Sequence, residues 1–440
     1  MNVSNKKGLF KFLSVFLIIS ILAACSSNGG DDSSDSASGD PGAIKGEITV
    51  ITQRTDIVDT VFKEYAKKFN EKYPDVKVNF EALSDYEGQI KIRMNTDEYG
   101  DVLLIPTSVP VADLPSFFEP LGSYDEMKTQ YTGIEERMVD STIYGIPVAI
   151  TYSGVIYNKQ VFKDAGVTEI PQTIDQFMEA LRSVKANTDA TPLYTNYAAG
   201  WPLTQWESDL TTVAGDVDYV NVTQPNSDDN FVAGQPHYDL YKILYDATKE
   251  GLIERDPTTT DWESSKADLG QGKIATMVLG SWAIDQIKGS ATNPDDIGFM
   301  PFPTNAENVI VPLGADYNLA INVNSKNKAA AKAWVDFFIH DSNYAVEQAG
   351  SISAVVGAEL PEILKEYGDK GVEFKTITAS EEGQEGLVDK IDKEAEVGLW
   401  QPDFKKRIIE AGLGNRKESY DDIMKDLNDA WVEARKTVAE

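Results

Sequence analysis

The sequence predicts an α/β protein, and two runs near the start of its folded body carry that reading. Residues 47–52 (Glu-Ile-Thr-Val-Ile-Thr) read as a strand, and the apolar positions Val58, Phe62, Tyr65 and Phe69 that follow recur on one helical face. Beyond Pro74, Val76, Val78 and Phe80 alternate with Lys77 and Asn79, the period-two pattern of a half-buried strand. Strand, helix and strand in succession argue for α/β architecture.

Later elements keep the theme. Residues 101–106 supply another short apolar strand. Thr173 and Gln176 frame a capping box ahead of Ile174, Phe177, Leu181 and Val184, which lie at helical spacing. Ser325 is placed to cap a helix carrying Ala330, Trp334, Phe337 and Phe338. His340 ends that run, where a cation suits the negative end of the helix dipole. Ser419 and Asp422 open a last helix with Ile423, Leu427 and Trp431 on its buried side, so Trp334 and Trp431 are read as core. The chain shows no internal sequence repeat.

Composition narrows the function. From about residue 44 onward the chain is long enough for two lobes of roughly 100–200 residues each, and 42% hydrophobic with 10% aromatic residues is enough to build cores. A formal charge of −31 repels nucleic acid and anionic lipid, so neither is an expected partner. One cysteine excludes an intrachain disulfide and a multi-thiolate zinc site. Two histidines, His237 and His340, leave few members for a histidine-based triad or metal site.

That one cysteine is informative by its position. Lys6, Lys7 and Lys11 precede an apolar stretch over residues 12–22, and Leu22-Ala23-Ala24-Cys25 follows. The stretch is shorter than the roughly 20 residues a membrane-spanning helix needs. Residues 1–24 are therefore read as a lipoprotein signal peptide, with Cys25 as the lipidated thiol. One acyl chain holds a protein only marginally, so stable anchoring requires more than one. Residues 25–45, dominated by Ser, Asp, Gly and Asn, read as a flexible leash with a reach on the order of 25 Å. This places the body on the extracytoplasmic face of a cell membrane, as on a Gram-positive surface, touching the bilayer through its lipid alone.

A family resemblance rests on several blocks in order. Tyr144-Gly145-Ile146-Pro147 runs on to Tyr157-Asn158-Lys159, Phe162 and Ala165-Gly166. Gly272-Lys273-Ile274-Ala275-Thr276-Met277 then leads to Gly280-Ser281-Trp282, and after Gly298-Phe299 and Pro301 comes the stretch 314–327. Together they resemble the family 1 extracellular solute-binding proteins of ABC importers, the carbohydrate-binding group that includes maltose-binding protein. Thr276 departs from the family's Ala-Met pair by standing between Ala275 and Met277.

The resemblance implies a two-lobed, type II periplasmic-binding-protein-like fold whose lobes are joined by strands crossing at a hinge. By that similarity the chain crosses near residues 149–152, 313–317 and 345–356. Lobe 1 is then 46–150 with 314–345, and lobe 2 is 151–313 with 346–440. It also implies a saccharide bound between the lobes, delivery to the transmembrane subunits of an ABC permease, and a monomer that does no chemistry.

A pyranose offers two faces of C–H bonds and a rim of hydroxyls, so its site needs flat aromatic platforms and oriented polar groups. Trp282, in the family's Gly-x-Trp, is expected to stack on sugar. Trp400, in Gly398-Leu399-Trp400-Gln401-Pro402, matches a cleft tryptophan of the family. Trp201 and Trp206 flank Pro202, and at least one of them should face the cleft, whereas Trp262 reads as structural. Polar candidates follow first-lobe strands, where open α/β sheets place ligands: Gln53 and Arg54, Asp85, and Thr107. Thr151 and Tyr152 fall in the hinge, and Asp316 and Tyr317 match the second crossing. Asp56 is read as a helix cap, and an Arg54–Asp316 ion pair between lobes is the purely structural alternative.

Enzymatic patterns are absent from the sequence. It has no Gly-x-Ser-x-Gly elbow and no His-Glu-x-x-His, and Gly270-Gln271-Gly272-Lys273 lacks the spacing and the Ser or Thr of a phosphate loop. Asp216-Val217-Asp218 lacks the rest of a calcium loop. No cofactor or metal is expected. The residues themselves leave open a receptor for a peptide, polyamine or polyol phosphate, and a surface carbohydrate-active enzyme.

Overall fold

The protein was analysed as a computed structural model, which describes residues 43–381 and 383–439. Cys25, the signal peptide and most of the leash lie outside the described residues. The body is a two-lobed α/β fold with two hydrophobic cores. One gathers buried residues from Ile48 to Ala149 and again from Leu319 to Ala349. The other takes Ile150 to Val311 and Ile352 to Ala434.

The first lobe is built on a five-stranded sheet in the order Val76–Ala82, Gly46–Thr52, Val102–Leu104, Asn318–Ile321, Ile146–Pro147. The first three strands are parallel, and Asn318–Ile321 runs antiparallel to its two neighbours. Phe62, Tyr65 and Phe69 on helix Val61–Lys72 point into the core, and Phe69 meets the Trp334 indole edge to face at 5.2 Å. The second lobe centres on the long strand Ile150–Asn158. It pairs antiparallel with Ile274–Gly280 on one side, and with Ile310–Ala315 and Ile297–Met300 on the other.

Three passages of chain lie side by side where the lobes meet. Ile150 faces Ala315 and Thr151 faces Gly314 in one antiparallel pairing. The Ile150 amide donates to the Ile352 carbonyl at 2.8 Å, and the return bond is 3.0 Å.

Most caps form where local chemistry places them. The capping box of Thr173 and Gln176 closes in both directions, and Ser419 and Asp422 exchange bonds ahead of Tyr420–Ala439. Two expectations are corrected. Ser325 stands short of the helix, which starts at Lys328; its hydroxyl donates to Asp101 at 2.6 Å and accepts from the Asn327 amide at 3.1 Å. Asp56 caps nothing, because the helix begins only at Val61 and the carboxylate is taken by Arg54. Trp334 and Trp431 are fully buried as anticipated. Among the described residues no helix is long and apolar enough to cross a membrane.

Candidate functional site

A cavity of about 380 Å³ opens where the lobes meet, within the roughly 300–1,000 Å³ range of small-molecule sites. Glu136 reaches it from the first lobe and Thr151 from the hinge, while Tyr152, Glu207, Trp282 and Trp400 line it from the second.

Each residue of Gly280-Ser281-Trp282 has a physical reason for its identity. Gly280 ends strand Ile274–Gly280, and a Cβ there would lie 2.4 Å from Nε1 of Trp282, so only glycine lets the indole fold back over the chain. The Ser281 amide donates to the Tyr152 carbonyl at 2.7 Å, and its buried hydroxyl shares a 2.7 Å bond with Ser351. Trp282 is thereby fixed to the crossing strands. Its ring also meets Trp201 at 5.6 Å and Trp262 at 5.8 Å, and those two meet each other at 5.0 Å. Trp262, expected to be purely structural, completes a cluster of three indoles.

Trp201 is 38% exposed, whereas Trp206 is 2% exposed and packs on Phe302 at 5.7 Å. The run Trp201–Asp209 is a 3₁₀ helix, so residues five apart fall on different faces. Trp206 therefore belongs to the core, which corrects its place among the ligand candidates. Trp400 is 49% exposed. Asp392 accepts from the Gly398 and Leu399 amides at 2.9 and 3.0 Å, and the buried Lys405 ammonium donates to the carbonyls of Leu399, Gln401 (3.0 Å) and Gly398 (3.4 Å).

The first-lobe candidates gather along another strip, away from the cavity lining. Arg54 forms a two-pronged pair with Asp56, both bonds 2.8 Å, and donates to the Tyr344 hydroxyl and the Gln348 carbonyl at 3.1 Å each. It thus makes no ion pair with Asp316. Glu87 organises the neighbouring residues, accepting from the Tyr317 hydroxyl at 2.8 Å and the Thr107 amide at 3.1 Å. Asp85 caps helix Tyr86–Arg93 by accepting from Gly88, and Gln53 is partly buried beside Thr52. Asp56 feels the charge of Lys266, and Asp285 that of Arg54, so this strip faces the helices carrying Trp262 and Trp282. In the hinge, Thr151 donates to Gly314 at 3.2 Å and Tyr152 to Gly350 at 3.2 Å.

Burial lifts the Asp316 carboxyl to about 6, against the pull of the Tyr317 amide and Arg54. On acidification the folded protein takes up this proton before the unfolded chain, whose carboxyl titrates near 3.8. The group therefore adds stability as pH falls from about 7 toward 4, and its burial penalty is fully present above 6. Asp316→Asn is expected to stabilise the protein at pH 7 by on the order of 2 kcal/mol and to flatten this slope. Urea midpoints at pH 5 and pH 7 measure both effects, and equal slopes in the two proteins would remove Asp316 from this account.

Sequence reasoning missed the polar floor of the cavity. Glu207 is 5% exposed and accepts from the Tyr241 hydroxyl at 2.5 Å and from His237 Nε2 at 2.9 Å. Burial pushes its carboxyl up, but His237, Lys405 and Tyr241 outweigh that and hold it low. Gln224 lines the same floor. These partners come from four separate segments, and no local pattern in the chain marks them.

A model of the family described as bacterial extracellular solute-binding protein matches residues 55–345. The binding protein of an ABC transporter from Bifidobacterium animalis subsp. lactis, solved in complex with mannobiose, is 32% identical. It superposes with a TM-score of 0.84, over 90% of this chain and 95% of that one. The multiple sugar-binding protein of Streptococcus mutans is 24% identical over 336 residues, 71% of this chain and 73% of the relative. A diacetylchitobiose-binding protein of Streptomyces coelicolor is 25% identical over 355 residues, 76% and 79% of the two chains.

Proposed function

The chain belongs to the family of bacterial extracellular solute-binding proteins, and from that premise we propose that it is the saccharide receptor of an ABC importer. It takes an oligosaccharide between its lobes and passes it to the membrane permease. The observation that carries this reading is the cluster of Trp201, Trp262 and Trp282 beside a largely apolar cavity into which a few polar groups, Glu136, Thr151, Gln205 and Ser208 among them, are set. Indole faces suit the C–H faces of a pyranose, and the polar groups suit its hydroxyl rim. A peptide or polyamine receptor would instead present free carboxylates, and here the two that line the cavity are engaged, Glu207 by His237 and Tyr241 and Glu136 by the Ala315 amide.

Function in this reading is hinge closure. A ligand touching both lobes binds the closed arrangement better and shifts the population toward it. Trp282 stacks on the ligand, Trp400 forms a second platform, and Thr151, Tyr152 and Asp316 lie at the hinge where the lobes approach. Cys25 carries the lipid that holds this monomer at the outer face of the membrane, and residues 25–45 tether it. Lobe boundaries at 150/151, 313/314 and 345/346 belong to the same proposal.

Thermal unfolding across a saccharide panel that includes mannobiose and diacetylchitobiose tests this reading. A ligand at 100 times its dissociation constant should stabilise by about 2.7 kcal/mol. The Cys25→Ser protein should leave the membrane fraction and keep the same shift. Stabilisation by peptides or polyamines but by no saccharide would overturn the sugar assignment, and sustained release of new reducing ends would overturn the receptor.

A further inference from the structure

Charged side chains of both lobes gather where the last passage of chain crosses between them. Ala349 still belongs to the first core and Ile352 to the second, so Gly350 and Ser351 are the link. On the first-lobe side Arg54 donates to the Gln348 carbonyl and the Tyr344 hydroxyl at 3.1 Å each, and Asp56 holds it by two bonds of 2.8 Å. On the second-lobe side Asp285, from helix Trp282–Lys288, presses on the link. A Cβ on Gly350 would lie 3.1 Å from its Oδ2, and Gly350 has a φ of +54°, a conformation that glycine takes without strain. Arg54 and Asp285 thus grip the short run from Gln348 to Gly350 from opposite lobes.

The charges alternate across this junction. Asp285 feels Arg54, and Asp56 feels Lys266, each as an opposite charge that favours the carboxylate. Lys266, on helix Trp262–Gly270, bonds to Glu263 at 2.8 Å and Gln286 at 3.3 Å, with its ammonium 5.2 Å from the Trp262 ring. Arg54 also faces Asp316, and Asp285 has Lys288 of its own helix at 3.8 Å. Exposed ion pairs contribute little, because water and salt screen them and mobile side chains must be ordered to form them. Here both cations are only 9% exposed and already fixed by other bonds. None of Arg54, Asp56, Lys266 and Asp285 lines the cavity.

We propose that these four residues form an electrostatic latch, Arg54 against Asp285 and Asp56 against Lys266, which favours the closed arrangement of the lobes and raises saccharide affinity without touching the sugar. Its effect on affinity rests on the saccharide-receptor reading, whereas its effect on shape needs no ligand. Opening the lobes separates the paired charges. A receptor whose binding-competent state is less populated binds more weakly in the same proportion. The sign of the salt effect sets the latch apart from the overall charge. A chain of formal charge −31 repels itself, so screening that repulsion eases closure, whereas screening the latch opposes it.

Small-angle scattering from the unliganded full chain, and calorimetry with mannobiose or with diacetylchitobiose if the melting screen selects it, test the proposal. Both are run at about 0.1 M and about 1 M sodium chloride, where the screening length falls from about 10 to about 3 Å. In the unaltered protein high salt should raise the radius of gyration and weaken binding of the neutral sugar. Asp285→Asn removes the charge and keeps an acceptor for the Gly350 amide. It should raise the radius at low salt and weaken binding roughly threefold. Lys266→Met keeps its stem on Trp262 and should do the same, so it decides the matter if the asparagine variant fails to fold. Together the two should weaken binding about tenfold and abolish the loss of affinity at high salt, while Asp285→Glu should retain that loss. Unchanged radius and affinity in the folded variants overturn the latch, as does weaker binding with the salt response intact. Absence of saccharide binding in the unaltered protein overturns instead the receptor reading, and the scattering alone then decides the latch.

Discussion

Trp282→Ala should weaken saccharide binding by about 2 kcal/mol or more, roughly thirtyfold, and leave unfolding cooperative. The size of the effect follows from how the indole is held. Gly280 lets the ring lie across the chain, Ser281 ties the turn to Tyr152 and Ser351, and Trp201 and Trp262 meet the ring at 5.6 and 5.8 Å. A platform so fixed loses little conformational freedom when a sugar covers it, so most of the contact energy appears as affinity. Truncation removes the platform and also loosens Trp201. Stability should fall less than for a core tryptophan such as Trp431, because Trp282 is only partly buried. Calorimetry beside a urea titration separates the two quantities. A variant that binds as tightly as the unaltered protein would show that the cluster merely fills the space beside the hinge.

The contrast between Trp282 and Trp206 shows what could be read in the chain. Trp282 follows a strand and a glycine, and both constraints are local, so residue order alone exposes them. The fate of Trp206 depends on Trp201–Asp209 forming a 3₁₀ helix instead of an open loop, which turns the ring onto Phe302 from a distant segment. Arg54 shows the same limit among charges. Its position after the first strand is legible, but capture by Asp56, Tyr344 and Gln348 involves two residues nearly three hundred positions away. The periodic elements, Thr173–Gln176 and Ser419–Asp422 were legible because helix, strand and cap patterns repeat within a few residues. Gln224, Glu207, Asp392 and Lys405 look like ordinary surface residues in sequence, and only the packing of remote helices buries them.

Lys405→Met is expected to weaken saccharide binding through a residue that touches no ligand. The Lys405 side chain is completely buried, with the Phe404 ring 3.9 Å from its ammonium. Its three carbonyl acceptors belong to Gly398, Leu399 and Gln401, on either side of Trp400, and Asp392 holds the amides of the same loop. Methionine fills the space but takes the ammonium donor from the Leu399 and Gln401 carbonyls, while Gly398 keeps the Gln401 amide, and Glu207, Asp392 and Asp403 lose the cation they face. Titration separates positioning from simple filling. Burial lowers the Lys405 ammonium from an ordinary 10.5 to about 8, opposed first by Glu207. Between those values the unfolded chain binds more protons, so this group makes the folded protein more stable as pH rises, with its penalty fully present below about 8. The same deprotonation weakens the bonds that hold the Trp400 loop. Stability from this group and saccharide affinity should therefore move in opposite directions above pH 8 in the unaltered protein, and neither slope should survive in the methionine variant. Urea midpoints and calorimetric affinities from pH 7 to 9.5 read both, and parallel slopes in the two proteins would mean that Lys405 does not position Trp400.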